Sequence, residues 1–142
     1  MKVTLNRIDD AFQFEAKDAN GKTVVFDASP KIGGKGNGVS PMQTLIMAAG
    51  GCSAIDVILI LRKQKQEIHD FKIEIDGERE PDKEPSLWQT VHLLFKLEGT
   101  IDGEKAKRAV QLSMEKYCSV VKTLEGAGAK ISWDVVVNGT TI

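Results

Sequence analysis

Cys52 and Cys118 are the side chains in this 142-residue sequence with the most distinctive chemistry. Each falls on the apolar stripe of a predicted helix. Cys52 sits in Met47-Ala-Ala-Gly-Gly-Cys-Ser-Ala-Ile-Asp56, and Cys118 in Glu115-Lys-Tyr-Cys-Ser-Val-Val121. They are far apart in the chain, without the close pairing of a metal knuckle or a CxxC redox motif. Two thiols brought together by the fold could run a thiol cycle, in which one attacks an oxidant and the other resolves the product as a disulfide. The competing reading of either sulfur is a small, inert core hydrophobe.

An attacking thiolate needs a cation or an acid–base partner. Cys52 lies about three turns in from Pro41, beyond the reach of the helix dipole. Four arginines are available: Arg7, Arg62, Arg79 and Arg108. Arg62 and Arg108 each stand about 15 Å along a helix from the nearer cysteine. Arg7 and Arg79 lie at predicted strand ends and could fold over the site. Their plainer role is an exposed ion pair with neighbouring acids. Asp56, one turn past Cys52, reads as structural: a bare carboxylate would oppose ionisation of the thiol, so it should pair with a cation or a backbone donor. If the second helix breaks near Tyr117, Cys118 would open a new segment and gain a helix dipole.

The remaining motifs are weak. Gly33 to Gly38 lacks a Walker A ending and a preceding strand of the right kind, and reads as a flexible loop. His69 and His92 are isolated, and neither has ligand spacing to a cysteine. No Ser-His-Asp arrangement is legible from spacing.

The elements that must carry the cysteines follow from periodicity. Lys2–Arg7 and Phe12–Lys17 read as a hairpin, and Asn20-Gly21 turns the chain into a third strand at Thr23–Phe26. Ser40-Pro41-Met-Gln43 opens a helix, with Ser40 as cap and Gln43 closing a capping box, that runs to about Lys65. Leu45, Ala48, Ala49, Cys52, Ile55, Asp56 and Leu59 form one stripe of it, yet the opposite face is apolar too, so something should cover it on all sides. Each of Gly50 and Gly51 costs roughly 1 kcal/mol of helix propensity against alanine. Close helix packing, or room for an apolar substrate above Cys52, would offset that cost. Strands follow at Phe71–Gly77 and Leu87–Leu97. Asp102 caps a second helix with apolar positions at 106, 110, 114, 117, 121 and 124, and Ile131–Val137 forms a last strand before a frayed end. The order βββ-α-ββ-α-β indicates an α+β fold in a single domain, 1–142.

Lys and Arg total 19 against 20 Asp and Glu, for a net charge of −1. With no basic stripe and no acidic tail, nucleic acid and membrane surfaces are not expected partners. Thr44 to Leu61 approaches transmembrane length, but Asp56 and the paired glycines interrupt it. The N-terminus has no apolar core of a signal peptide. A cytoplasmic setting is expected, where structural disulfides are rare.

Ser40-Pro-Met-Gln-Thr-Leu-Ile-Met-Ala-Ala-Gly-Gly-Cys52 followed by Glu-Lys-Tyr-Cys118 resembles the OsmC/Ohr superfamily, the osmotically inducible and organic hydroperoxide resistance proteins, and is most similar to a less characterised branch of it. The resemblance implies two central helices wrapped by antiparallel sheets in an intertwined homodimer. It implies a thiol peroxidase for organic hydroperoxides, with Cys52 peroxidatic, Cys118 resolving and a dithiol as reductant. Arg7 is the nearest match to the family's activating arginine, with Arg79 as the alternative. No metal, flavin or other cofactor is implied. Where family members carry a glutamate just after the helix-opening proline, this sequence has Met42 and Gln43, and Ser119 replaces the proline that commonly follows the second cysteine. A ligand-binding or thiol-sensing dimer with little turnover is the alternative reading.

Overall fold

The computed structural model describes residues 1–142. They fall into two compact units, Met1–Leu45 and Ile46–Ile142.

The first unit is an antiparallel sheet of β1 (Thr4–Arg7), β2 (Phe14–Lys17) and β3 (Thr23–Phe26) in that order. Both connections are organised by an aspartate. Asp9 accepts the backbone N–H groups of Ala11 and Gln13 at 3.0 and 2.9 Å. Asp18 accepts those of Asn20 and Lys22, both at 2.8 Å, and Gly21 takes a φ of +80°. Such Asx turns use the short carboxylate as a substitute backbone acceptor. The glycine-rich segment is more ordered than a flexible loop. Asp27 is buried and accepts the N–H groups of Ala28 and Asn37 at 2.7 and 3.0 Å. A Cβ on Gly34 would lie 1.9 Å from the Ala28 carbonyl oxygen, so the backbones meet where only glycine fits.

Helix α1 spans Pro41–Lys63. Its first turn closes on the Ser40 carbonyl, which accepts both the N–H and the hydroxyl of Thr44 at 3.1 and 3.0 Å. By length and a mean hydropathy of 2.1 it could cross a membrane. A core helix of a folded domain passes the same test.

The second unit sets α1 from Ile46 onward against a sheet ordered β4 (Glu67–Arg79), β5 (Trp88–Thr100), β6 (Lys130–Val137), β7 (Thr140–Thr141). From Val91 strand β5 alternates cleanly: Val91, Leu93, Phe95 and Leu97 are buried and their neighbours are not, while buried Trp88 stands out of step beside a register shift at Glu78/Arg79. This is the period-2 signature of a sheet with one face in the core. Phe71 of β4 adds its ring 6.3 Å from that of Phe95. All strand pairs are antiparallel except β5–β6, which run parallel from Thr90↔Lys130 to Leu97↔Val137. Parallel neighbours need a crossover, and α2 (Gly103–Leu112) with α3 (Ser119–Gly126) supplies it. Asp102 caps α2 by accepting the Lys105 N–H at 2.9 Å. The chain end does not fray: β7 pairs with β6 through Val136↔Thr141 and Val137↔Thr140.

The buried face of α1 is displaced from the expected stripe. Ile46, Ala49, Gly50, Ser53, Val57 and Leu61 face inward, whereas Met47, Ile55 and Leu59 are exposed, Ile55 by 62%. A helix apolar all round carries no phase information, so tertiary packing sets which side is core. Gly50 explains part of the choice, since a Cβ there would lie 2.6 Å from Ile75 Cδ1 on β4.

Candidate thiol site

Between α2 and α3 the helical path widens. Residues Ser113–Tyr117 form a π-helical turn in which the Cys118 N–H bonds the Ser113 carbonyl five residues back at 2.8 Å. Such turns recur at functional sites. The extra residue changes the phase of the stripe. Tyr117, expected inside, is 49% exposed, and Cys118 is fully buried. The helix breaks there, with Cys118 at φ −71°, ψ 101°, as the cap residue of α3. Its sulfur accepts the Val121 N–H at 3.5 Å, a contact with the first turn of that helix.

The fold brings the two cysteines together. Cys52 Sγ, Cys118 Sγ and a carboxylate oxygen of Asp56 all lie within 4.8 Å of one another. Both thiols are free; Cys52 is half-buried and Cys118 buried. Cys118 is enclosed by sequence-distant groups. The Ser53 hydroxyl donates to the Ala49 carbonyl at 2.7 Å and lies 3.4 Å from Cys118 Sγ and 3.6 Å from Met114 Sδ. Burial pushes the Cys118 thiol above its ordinary value of 9.0; the Ser53 hydroxyl and the Val121 N–H oppose that shift, and Cys52 adds to it. Burial therefore favours the protonated, uncharged form of the Cys118 thiol.

Asp56 pairs differently from expectation. Its Oδ2 accepts the Ser113 hydroxyl at 2.9 Å, and no lysine, arginine or histidine forms an ion pair with it. Beside it opens a cleft of about 500 Å³ lined by Asp56, Leu59, Ile60, Lys63, Leu112 and Tyr117. Ser53 and Ser113 are the site residues that sequence reasoning missed. Two buried serines inside otherwise apolar helical runs are the signal that could have found them.

The two arginines are engaged locally. Arg7, in the first unit, donates through Nε to the Ala11 carbonyl at 2.8 Å and through Nη2 to the Asp10 carbonyl. Arg79 donates to the Ser86 carbonyl at 3.2 and 2.7 Å across the β4–β5 connection. The first unit also holds an apolar cleft of about 630 Å³ between Leu5, Phe12, Phe14, Phe26 and Ile32.

His92 is less isolated than its sequence position implies. Its Nδ1 lies 2.8 Å from Ser132 Oγ and its Nε2 3.5 Å from an Asp134 oxygen, all on the partly exposed outer face of the second sheet. His69 pairs with Glu67 on the surface at 3.2 Å.

Residues 34–134 match the family described as OsmC-like protein. Protein YhfA of Escherichia coli K12 is 39% identical over 119 residues, covering 83% of this chain and 85% of YhfA. A hypothetical protein from Aquifex aeolicus VF5 has a crystal structure similar to this one at a TM-score of 0.78, with 32% identity and 96% of each chain covered. An organic hydroperoxide resistance protein OsmC from Legionella pneumophila shares the fold at a TM-score of 0.71 and 15% identity, covering 96% of this chain and 98% of that one.

Proposed function

Because the chain belongs to the OsmC-like family, we propose that it is a thiol-dependent peroxidase that reduces organic hydroperoxides in oxidative-stress defence. The observation that supports this most is the pair of free sulfurs from different helices within 4.8 Å, one half-buried and one buried. The accessible sulfur, Cys52, is the attacking one. As a thiolate it takes the terminal peroxide oxygen and breaks the O–O bond. The alkoxide leaves with a proton as an alcohol, and Cys52 becomes a sulfenic acid, oxidised by two electrons. Cys118 then attacks that sulfur; a disulfide forms and water leaves. A dithiol donor returns the pair to two thiols and is itself oxidised to a disulfide.

On the family resemblance alone, Arg7, with Arg79 as the alternative, is the proposed cation for the Cys52 thiolate, although each donates to local carbonyls in this chain; the proposed cycle uses no metal or cofactor. The working form is a homodimer. Met47, Ile55 and Leu59 leave an apolar strip of α1 uncovered in one chain, and a second copy would cover it. A cytoplasmic location suits a pair that must be re-reduced after every turnover.

A second reading has its own observation. The Asp56 carboxylate beside both sulfurs has no cation partner, and a fixed negative charge disfavours a second one next to it. That arrangement fits a slow thiol sensor, whose output is the disulfide itself. Substitution separates the readings. Cys52→Ser should abolish consumption of cumene hydroperoxide, and Cys118→Ser should leave a dimedone-reactive sulfenic acid on Cys52. Turnover that persists in Cys52→Ser would overturn the peroxidase mechanism.

A further inference from the structure

We propose that Cys52, Asp56 and Cys118 form a three-ligand site for a thiophilic divalent cation, zinc. Three donor atoms, two sulfurs and a carboxylate oxygen, already lie within 4.8 Å of one another. Zinc binds sulfur at about 2.3 Å and carboxylate oxygen at about 2.0–2.2 Å, so donors around a tetrahedral ion stand roughly 3.5–3.8 Å apart. The trio closes onto an ion through movements of about 1 Å or less, with the fourth position left to water.

Three further features fit a cation. The Asp56 carboxylate has no positive partner, so the site lacks the charge that a dication would supply. The groups behind the donors are in place: the Ser113 hydroxyl holds Asp56 Oδ2 at 2.9 Å, and the Ser53 hydroxyl stands 3.4 Å from Cys118 Sγ. Cys52 and Asp56 are half-buried, which gives an ion a way in, while Cys118 closes the inner side. The carboxylate that hinders a lone thiolate becomes a ligand once the ion is present. Binding is balanced by release of two thiol protons: two sulfhydryls and one carboxylate take up Zn²⁺ and give a complex of net charge −1. Two thiolates favour zinc over magnesium or calcium, which prefer all-oxygen sites.

The site is the one assigned to peroxide chemistry, but the proposal rests on donor geometry and not on turnover. The test is titration of the reduced full-length chain with Zn²⁺ against a chromophoric chelator, and with Cd²⁺ read by the ultraviolet thiolate-to-metal charge-transfer band. One ion per chain is expected. Cys52→Ser should lose the zinc and at least half of the cadmium band, and Asp56→Asn should weaken binding by at least about tenfold. A His69→Ala, His92→Ala double variant should bind as the parent does. Absence of binding at micromolar zinc would overturn the site, as would full affinity in Cys52→Ser or loss of binding in the histidine variant. Cys52 is half-buried, so its variant keeps the test decisive even if Cys118→Ser fails to fold. No peroxide enters the titration, so a chain inert to hydroperoxide that still binds zinc would separate the two proposals.

Discussion

Replacing Asp56 by asparagine removes one negative charge from beside Cys52 and leaves the packing unchanged, because the asparagine carbonyl can accept the Ser113 hydroxyl as Oδ2 now does at 2.9 Å. Cys52 Sγ and an Asp56 oxygen lie within 4.8 Å of each other, and at that limit two unit charges interact by about 0.9 kcal/mol at a dielectric of ~80 and by about 3.5 kcal/mol at ~20. At about 1.36 kcal/mol per tenfold change, that is roughly a fourfold to 350-fold gain in thiolate at a pH where the thiol form predominates. A thiolate that forms more easily is also a weaker nucleophile, which cancels about two-fifths to half of the gain on a logarithmic scale. Alkylation of Cys52 by iodoacetamide at pH 7 should therefore accelerate by about two- to thirty-five-fold. The assay is a second-order rate measured in a Cys118→Ser background with chelator present, so that one thiol reports and no metal competes. The effect should shrink at high salt if solvent reaches the pair. An unchanged or slower rate would show that Asp56 exerts no electrostatic hold on Cys52.

Other consequences follow from the same geometry. Gly51 is exposed on α1, and a methyl group placed on it would meet nothing within 4 Å, so in an isolated chain Gly51→Ala should stabilise by about 1 kcal/mol of helix propensity. If a second copy packs there, the methyl should instead weaken the dimer, as read by light scattering; an intact dimer with higher stability would place the interface elsewhere. Gly50→Ala, which meets Ile75 Cδ1 at 2.6 Å within the chain, should cost up to about 2 kcal/mol whatever the assembly. The raised Cys118 pKa has a definite sign. The unfolded chain loses that proton first, near 9.0, so stability should fall as pH rises past 9, and Cys118→Ala should flatten that decline in chemical denaturation. Equal slopes in both proteins would contradict it.

The α+β architecture was legible because β5 alternates, Asp102 marks a helix start and Asn20-Gly21 marks a turn, all local signals. The helix break near Tyr117 was visible as a possibility, but its π-helical turn was not. That turn leaves Tyr117 exposed and Cys118 buried, and its first residue, Ser113, bonds Asp56 on a distant helix. The inward side of α1 was equally illegible, since apolar residues surround the whole helix and the close approach of Ile75 to Gly50 is a long-range contact. Both cysteines announced themselves by type and neighbours. The partners of Asp56 and Cys118 did not, because Ser53 and Ser113 act through contacts made across 57 and 65 residues of chain. The parallel β5–β6 pair follows from the crossover through α2 and α3, a pairing that strand periodicity alone does not specify.

Counting free thiols in the reduced protein before and after one equivalent of cumene hydroperoxide, beside an equal dose of hydrogen peroxide, is the most direct test of the thiol cycle. Loss of both thiols within seconds, faster with the organic peroxide and reversed by a dithiol, is the expected result. Two thiols per chain that persist for many minutes would contradict the peroxidase and favour a sensor or binding protein.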